Sequence, residues 1–273
     1  MVNNMSKTNK ERPKIGVALG SGGARGLSHI GFLRALVEEN IPIDVVTGSS
    51  MGAIVGGAFA AGISYEEMLK FTKTLRQSML IDLAFPTGGG FVKGNKAANV
   101  LSEFFHEQKA ALSFEKTKIA FGCTAVDLVS GNVVYLTKGR LIPAIRASFS
   151  IGGIFRPVRK DNMLLVDGGT LCRVPVRLAR ELGADFVVGV DCAGPNSDIL
   201  PSELNRYSKI VKRTYLLMEH AASEKEMNES DLFVSIDQTG VDPLKLKEGL
   251  QSVEIGYREG KKAAQQLKKV LKI

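Results

Sequence analysis

The sequence predicts a three-layer α/β/α fold around a mainly parallel central sheet, and three observations lead there. The chain opens with short apolar runs alternating with helical periodicity in β-α-β-α order, which parallel strands and face-covering helices require. Glycine-rich segments stand where each of the first two strands gives way to a helix, at the carboxyl ends of strands where such sheets receive ligands. Finally, 273 residues with 44% apolar content and 29 glycines can bury one substantial core, and no linker-like stretch divides the middle. The expected organisation is a polar tail over residues 1–13 and a single domain over 14–273.

Taken in order, Lys14 to Leu19 reads as a buried strand running into Gly20-Ser21-Gly22-Gly23-Ala24-Arg25-Gly26, followed by a helix from Leu27 to Glu39. Ile43 to Val46 is the second strand and Met51 to Ala61 the second helix, rich in small residues. Ser64-Tyr65-Glu66-Glu67 is a capping-box start for a further helix. The apolar region Met79 to Val92, broken by Pro86 and Gly88-Gly89-Gly90, suits a mobile wall or burial against the core equally, and Asn95 to Phe105 resumes helical spacing. Lys118 to Val126 and Val133 to Tyr135 form a strand pair around the Ser130-Gly131-Asn132 turn, which Asp127 is placed to support. Leu141 to Ser148 is helical, and Phe155 to Val158 with Met163 to Val166 makes a hairpin through Asp161-Asn162. Pro175 to Leu182 is a helix, Phe186 to Val190 a buried strand, Glu203 to Met227 a long helix and Leu232 to Ile236 the last strand. An amphipathic helix from Ile255 to Val270 closes the domain.

The chemistry concentrates in three places. In Gly48-Ser49-Ser50-Met51-Gly52 the serine Ser50 stands at a strand-to-helix turn, where flanking glycines let a sharp elbow form and expose a nucleophilic hydroxyl ahead of a helix N-terminus. The glycine loop at 20–26 fits neither a dinucleotide fingerprint, because Arg25 occupies the third glycine position, nor a P-loop, which ends in Gly-Lys-Ser/Thr. An oxyanion hole is the better use, with the Gly22 and Gly23 N–H groups as donors and Arg25 either fixing the loop or answering a substrate phosphate. A triad would need a histidine base, and the chain has only His29, His106 and His220, none of which follows a strand end. His220 is the formal candidate by chain order alone. Asp167 is the simpler partner: the strand Met163 to Val166 delivers it directly to Gly168-Gly169, and an enclosed carboxylate is a stronger base than a solvated one.

These three segments, in this order, resemble the bacterial patatin-like phospholipases, which are related to the lipase domain of neuropathy target esterase; the likeness covers nearly all of residues 14–265. It implies a patatin-like fold, Ser50 and Asp167 as a Ser-Asp dyad without a catalytic histidine, Gly22 and Gly23 as oxyanion-hole backbone, and Arg25 holding the loop or a lipid phosphate. Phospholipid or lysophospholipid hydrolysis through an acyl-enzyme is the activity implied. An acyltransferase with the same nucleophile and a catalytically silent lipid-binding protein are the alternatives. Arg146 to Pro157 resembles the segment that reads Ala-Ser-x-x-x-Pro-x-x-Phe-x-Pro in the family, with Gly152 at its first proline, and Arg173 stands where the family has the asparagine of Asn-x-Pro.

Composition frames the rest. The first dozen residues have no apolar h-region, and no apolar run approaches the ~18 residues of a spanning helix, so a cytoplasmic protein without membrane insertion is expected. Cys123, Cys172 and Cys192 match neither a zinc site nor a disulfide scaffold and read as reduced packing residues. No metal or cofactor is called for. A net charge of +8 asks for an acidic partner. Lys261-Lys262, Lys268-Lys269 and Lys272, with Leu267, Val270 and Leu271, would suit peripheral contact with an anionic membrane or the solvated face of a packed helix. Nucleic acid is not indicated, because the cations lack aromatic interleaving and a reading helix.

Overall fold

A computed structural model describes residues 12–83, 89–106, 112–193, 200–242 and 245–272. The expected polar tail lies almost wholly outside the described residues, as do Pro86 and Gly88 of the apolar region before Val92. The elements are β1 Ile15–Leu19, α1 Ser28–Glu38, β2 Val45–Gly48, α2 Met51–Ala61, α3 Tyr65–Thr74, α4 Gln77–Leu80, β3 Gly90–Val92 and α5 Asn95–Phe104. They continue with β4 Ala120–Asp127, β5 Val133–Leu136, α6 Leu141–Ser148, β6 Gly153–Phe155, β7 Val158–Lys160 and β8 Met163–Asp167. The last are α7 Val176–Glu181, β9 Phe186–Asp191, α8 Tyr207–Met227, β10 Leu232–Ser235 and α9 Gly249–Leu271.

The central sheet runs β10-β9-β1-β2-β4-β8-β7, with β5 also paired to β4, and β3 and β6 form a separate two-stranded sheet. The strands from β10 to β4 are parallel to one another, while β5 and β8 are antiparallel to β4. Alternation along the strands divides the core. Ile15, Val17, Leu19 and Val46 face the layer of α1, α2, α6 and α9, whereas Ala18, Val45 and Val187 face α7 and Met227 of α8. This is the three-layer α/β/α architecture, and no helix among the described residues is long and apolar enough to cross a membrane.

Several boundaries differ from the sequence reading, among them the long helix, which starts at Tyr207 rather than Glu203, and the closing helix, which starts at Gly249 rather than Ile255; two others have a plain physical reason. The second strand extends through Thr47 to Gly48 because its ladder to β1 continues to Gly48 opposite Leu19. Polarity does not mark where backbone pairing ends. The expected hairpin arm from Phe155 to Val158 is split at Pro157, which has no N–H to donate: Phe155 ends β6 and pairs with β3, and Val158 starts β7. The turn itself falls at Asp161, which takes φ 52°.

The register around β4 positions the site. β5 occupies one edge of β4 from Cys123 to Val126, so β2 and β8 must share the other edge. β2 runs along it until Gly48 stands opposite Cys123, and β8 takes over with Asp167 opposite Ala125. Two segments far apart in sequence therefore end nearly head to head.

Candidate active site

Ser50 follows that meeting point directly, as the residue capping α2. Its backbone takes φ 54° and ψ −118°, outside the regions favoured by a non-glycine residue, at a cost of order 1–3 kcal/mol. Close approach enforces the elbow: a Cβ on Gly48 would strike the Gly52 backbone, and one on Gly52 would strike the Leu19 carbonyl. The Ser50 N–H donates to Ser148 Oγ at 3.0 Å, and the Ser50 hydroxyl donates to Asp167 Oδ2 at 2.7 Å. Both side chains are buried, Ser50 to 7% exposure and Asp167 to 3%.

Asp167 is held from two sides. Its N–H donates to the Ser150 carbonyl at 2.9 Å, and its Oδ1 accepts the Gly169 N–H at 2.8 Å. Removal from water pushes its carboxyl up to about 7, against the pull of the Ser50 hydrogen bond, with the charge of nearby Glu219 adding to the rise and the Gly169 N–H opposing it. A carboxylate in that state accepts a proton readily near neutral pH.

The glycine loop reaches the same place from β1. Gly22 is extended, Gly23 takes φ 57°, and Gly26 lies so close to Met51 that a Cβ there would meet the Met51 side chain. The loop is fastened at several points. His29 Nε2 lies 2.8 Å from the Gly20 carbonyl, the Ser21 N–H donates to the Arg173 carbonyl at 2.9 Å, and the Ser21 hydroxyl donates to Glu219. Arg25 donates through Nε to the Val241 carbonyl and through Nη1 to that of Ala193, each at 2.7 Å. Gln238 adds donations to the carbonyls of Arg25 at 2.9 Å and Cys192 at 3.1 Å.

No histidine is bonded to Ser50 among the described residues. His29 is fully buried and its pKa falls to about 4 by desolvation, so the neutral ring donates to Gly20. His220 Nδ1 lies 3.2 Å from Arg173 Nη1, and His106 Nε2 lies 3.2 Å from Glu67 in an exposed pair. Arg173, the departure from the family segment, makes a buried fork with Asp191, Nε to Oδ1 at 2.9 Å and Nη2 to Oδ2 at 2.5 Å. It ties the loop after Asp167 to the end of β9.

Several contributors escaped the sequence reading. Ser148 and Ser150 sit in a segment singled out for its likeness, yet only folding shows which backbone groups they meet. Arg146, buried and lowered by desolvation to about 10, donates to Ser150 Oγ and to the carbonyls of Gly94, Lys93 and Arg156. Glu219 and Tyr215, one helical turn apart on α8, approach the loop after Asp167, with the Tyr215 hydroxyl 3.0 Å from Thr170 Oγ1. A Cβ on Gly169 would lie 2.6 Å from Glu219 Oε1 and 2.7 Å from Ser21 Oγ, so Glu219 stands where the glycine loop and the loop after Asp167 meet. Nothing local in the sequence marks it.

A separate cavity of about 380 Å³, lined by Leu33, Arg34, Phe59, Ile63 and Tyr65 among others, lies at the C-terminal end of α2. Ser50 is at the other end, roughly 16 Å away along eleven residues of helix. Cys123, Cys172 and Cys192 are buried and form no disulfide; burial pushes the Cys123 and Cys192 thiols up. Among the described residues no group of three or more His, Cys, Asp or Glu is placed to hold a metal ion.

The chain is 34% identical over 218 residues to an uncharacterized NTE family protein of Mycobacterium tuberculosis, covering 77% of this chain and 59% of that protein. It is 30% identical over 211 residues to the patatin-like phospholipase domain-containing protein 7 of Rattus norvegicus, covering 74% of this chain and 15% of that one. The chain thus spans about 59% or less of the length of these curated relatives. The crystal structure of VipD from Legionella pneumophila shares the fold, with a TM-score of 0.57 at 14% identity over 94% of this chain and 67% of that one. The family model for patatin-like phospholipases matches residues 17–180, more than half of the sequence and a span containing the glycine loop, the Ser50 elbow and Asp167, so the chain belongs to the patatin-like phospholipase family.

Proposed function

We propose that this chain is a serine acyl-ester hydrolase acting on phospholipid or lysophospholipid through Ser50 and Asp167. The observation that carries the reading is the 2.7 Å bond from Ser50 Oγ to a carboxyl group whose burial raises its pKa to about 7. Asp167 accepts the Ser50 proton as Oγ attacks the ester carbonyl, and the developing oxyanion takes N–H donation from Gly22 and Gly23. Collapse of the tetrahedral species expels the lipid alcohol, which takes the proton from Asp167. A water then attacks the acyl-Ser50 ester, giving its proton to Asp167, and collapse returns a proton to Ser50 Oγ and releases the fatty acid. The strained Ser50 backbone and its bond to Ser148 hold the hydroxyl in place for both halves.

The test is intact mass after exposure to a fluorophosphonate, with phospholipid turnover measured alongside. Wild type should gain one adduct, Ser50→Ala none, and both Ser50→Ala and Asp167→Asn should lose turnover. Absence of a wild-type adduct and of turnover on short and long acyl esters would overturn the hydrolase reading. Retained turnover in Asp167→Asn would overturn the dyad.

A further inference from the structure

Helix α8 has two unlike faces. Inward, it carries Tyr215 and Glu219 to the loops that flank Ser50 and Asp167. Outward, Ile210, Val211, Leu217 and Met218 stand exposed, Met218 to 66%, with Tyr207 at the helix start exposed to 84%. These positions recur at helical spacing and so make one apolar stripe. The charges of the same segment have one sign. Residues 204–218 include Arg206, Lys209, Lys212 and Arg213 and contain no aspartate or glutamate.

The C-terminal lysine cluster is differently disposed. Lys261 pairs with Glu38 and Glu39, Lys268 with Glu39 and Lys262 with Glu259, and Leu267 is buried in the core. Much of that charge is already answered within the fold. The apolar stripe lies on a helix that reaches the candidate active site, and Arg206 just before α8 and Lys209 on it are exposed.

The charge decides between occupants. A second copy on a self-complementary interface would set these cations against themselves, in a chain already at +8. An anionic lipid surface meets them with opposite charge and takes the apolar stripe into its acyl boundary. We propose that the outward face of α8 docks the protein on an anionic phospholipid bilayer and so seats Ser50 at the lipid surface. This rests on the phospholipid reading above, and its test is independent of turnover.

The chain has no tryptophan, so one introduced residue reports its own surroundings. In a Ser50→Ala background, Met218→Trp on α8 and Val270→Trp on α9 would be titrated with vesicles of phosphatidylglycerol and of phosphatidylcholine. The expected result is a blue shift of the Met218→Trp emission with phosphatidylglycerol only, reduced by salt, and no shift for Val270→Trp. Arg206→Gln with Lys209→Gln should weaken co-sedimentation with phosphatidylglycerol vesicles about thirtyfold, each cation near the surface contributing roughly fivefold. Ile210→Gln with Met218→Gln should weaken it independently, with circular dichroism confirming that helix content is kept. No binding to phosphatidylglycerol vesicles, or binding with an unshifted Met218→Trp emission, would overturn the proposal. With Ser50 intact, both double variants should retain turnover of a soluble short-chain ester. Vesicle docking through α8 in a protein that hydrolyses no ester would leave the docking face standing and remove the hydrolase reading.

Discussion

Asp127 and Asp167 end two paired antiparallel strands, and both side chains are buried, yet they are opposite kinds of acid. Asp127 accepts N–H groups from Leu164 at 2.9 Å and from Val129 and Ser130 at 3.1 Å each, and the Ser130 hydroxyl at 2.8 Å. Led by the Leu164 N–H, those donors hold its carboxyl down at about 2. Asp167 receives one backbone N–H and the Ser50 hydroxyl, too little to replace water, and rises to about 7. Asp167 is fully enclosed, whereas Asp127 sits beside the exposed Leu128 and Val129, so depth of enclosure and the number of donors aimed at the charge together set the direction of each shift.

The largest expected break in this comparison comes from exchanging each acid for its amide. On the proposed mechanism Asp167→Asn should lower kcat for ester hydrolysis by on the order of 10²–10⁴, the usual range for loss of a general base. Asp127→Asn should leave kcat near wild type and lower the thermal midpoint, because an amide cannot accept all four donors. A kcat loss of similar size in both variants would erase the distinction.

A third buried carboxylate, Asp191, accepts the Ala193 N–H at 3.1 Å and is paired in the Arg173 fork. Arg173→Met should therefore destabilise the fold by about 3–5 kcal/mol, read by denaturant unfolding, since it leaves a buried charge without its partner. Arg173→Met with Asp191→Leu should recover most of that loss. A single variant as stable as wild type would mean that water reaches Asp191.

The pH dependence sharpens the contrast with a smaller effect. On the proposed mechanism hydrolysis should rise through a limb near pH 7, because only an ionised Asp167 could accept the serine proton. Stability runs the other way at this residue. Its folded pKa lies above the unfolded value of roughly 4, so the native state binds the extra proton between the two and loses stability as pH rises through that window. Asp167→Asn should consequently melt higher than wild type above the limb, with the gap closing toward pH 4 or so. At Asp127, held near 2, the stabilisation is present above the ordinary carboxylate range and is lost only as pH falls toward 2.

The smallest effect is expected at Glu219. Its charge adds to the rise at Asp167, so Glu219→Gln, which can still accept from Ser21, should move the activity limb a fraction of a unit to lower pH. Kinetics across the limb would show it. A limb moved upward would remove Glu219 from the causes of the rise at Asp167 and leave it to burial.

The sequence by itself determined the parts that depend on neighbours along the chain. Alternating apolar runs and helical periods specify the α/β/α order, and glycines two before and two after Ser50 announce an elbow, because both are local requirements of backbone geometry. The Asp167-Gly168-Gly169 step stood out for the same reason, as did the capping box at Ser64, whose side chain and Glu67 exchange bonds in the folded chain. Only the tertiary structure decided that β2 and β8 share one edge of β4 and so bring Ser50 to Asp167, that Arg25 spends two donors on loop carbonyls, and that Glu219 stands between the two loops. Strand order and desolvation are set by segments distant in sequence that enclose a residue from several sides. A carboxyl's pKa therefore belongs to the enclosure, and no spacing along the chain records it.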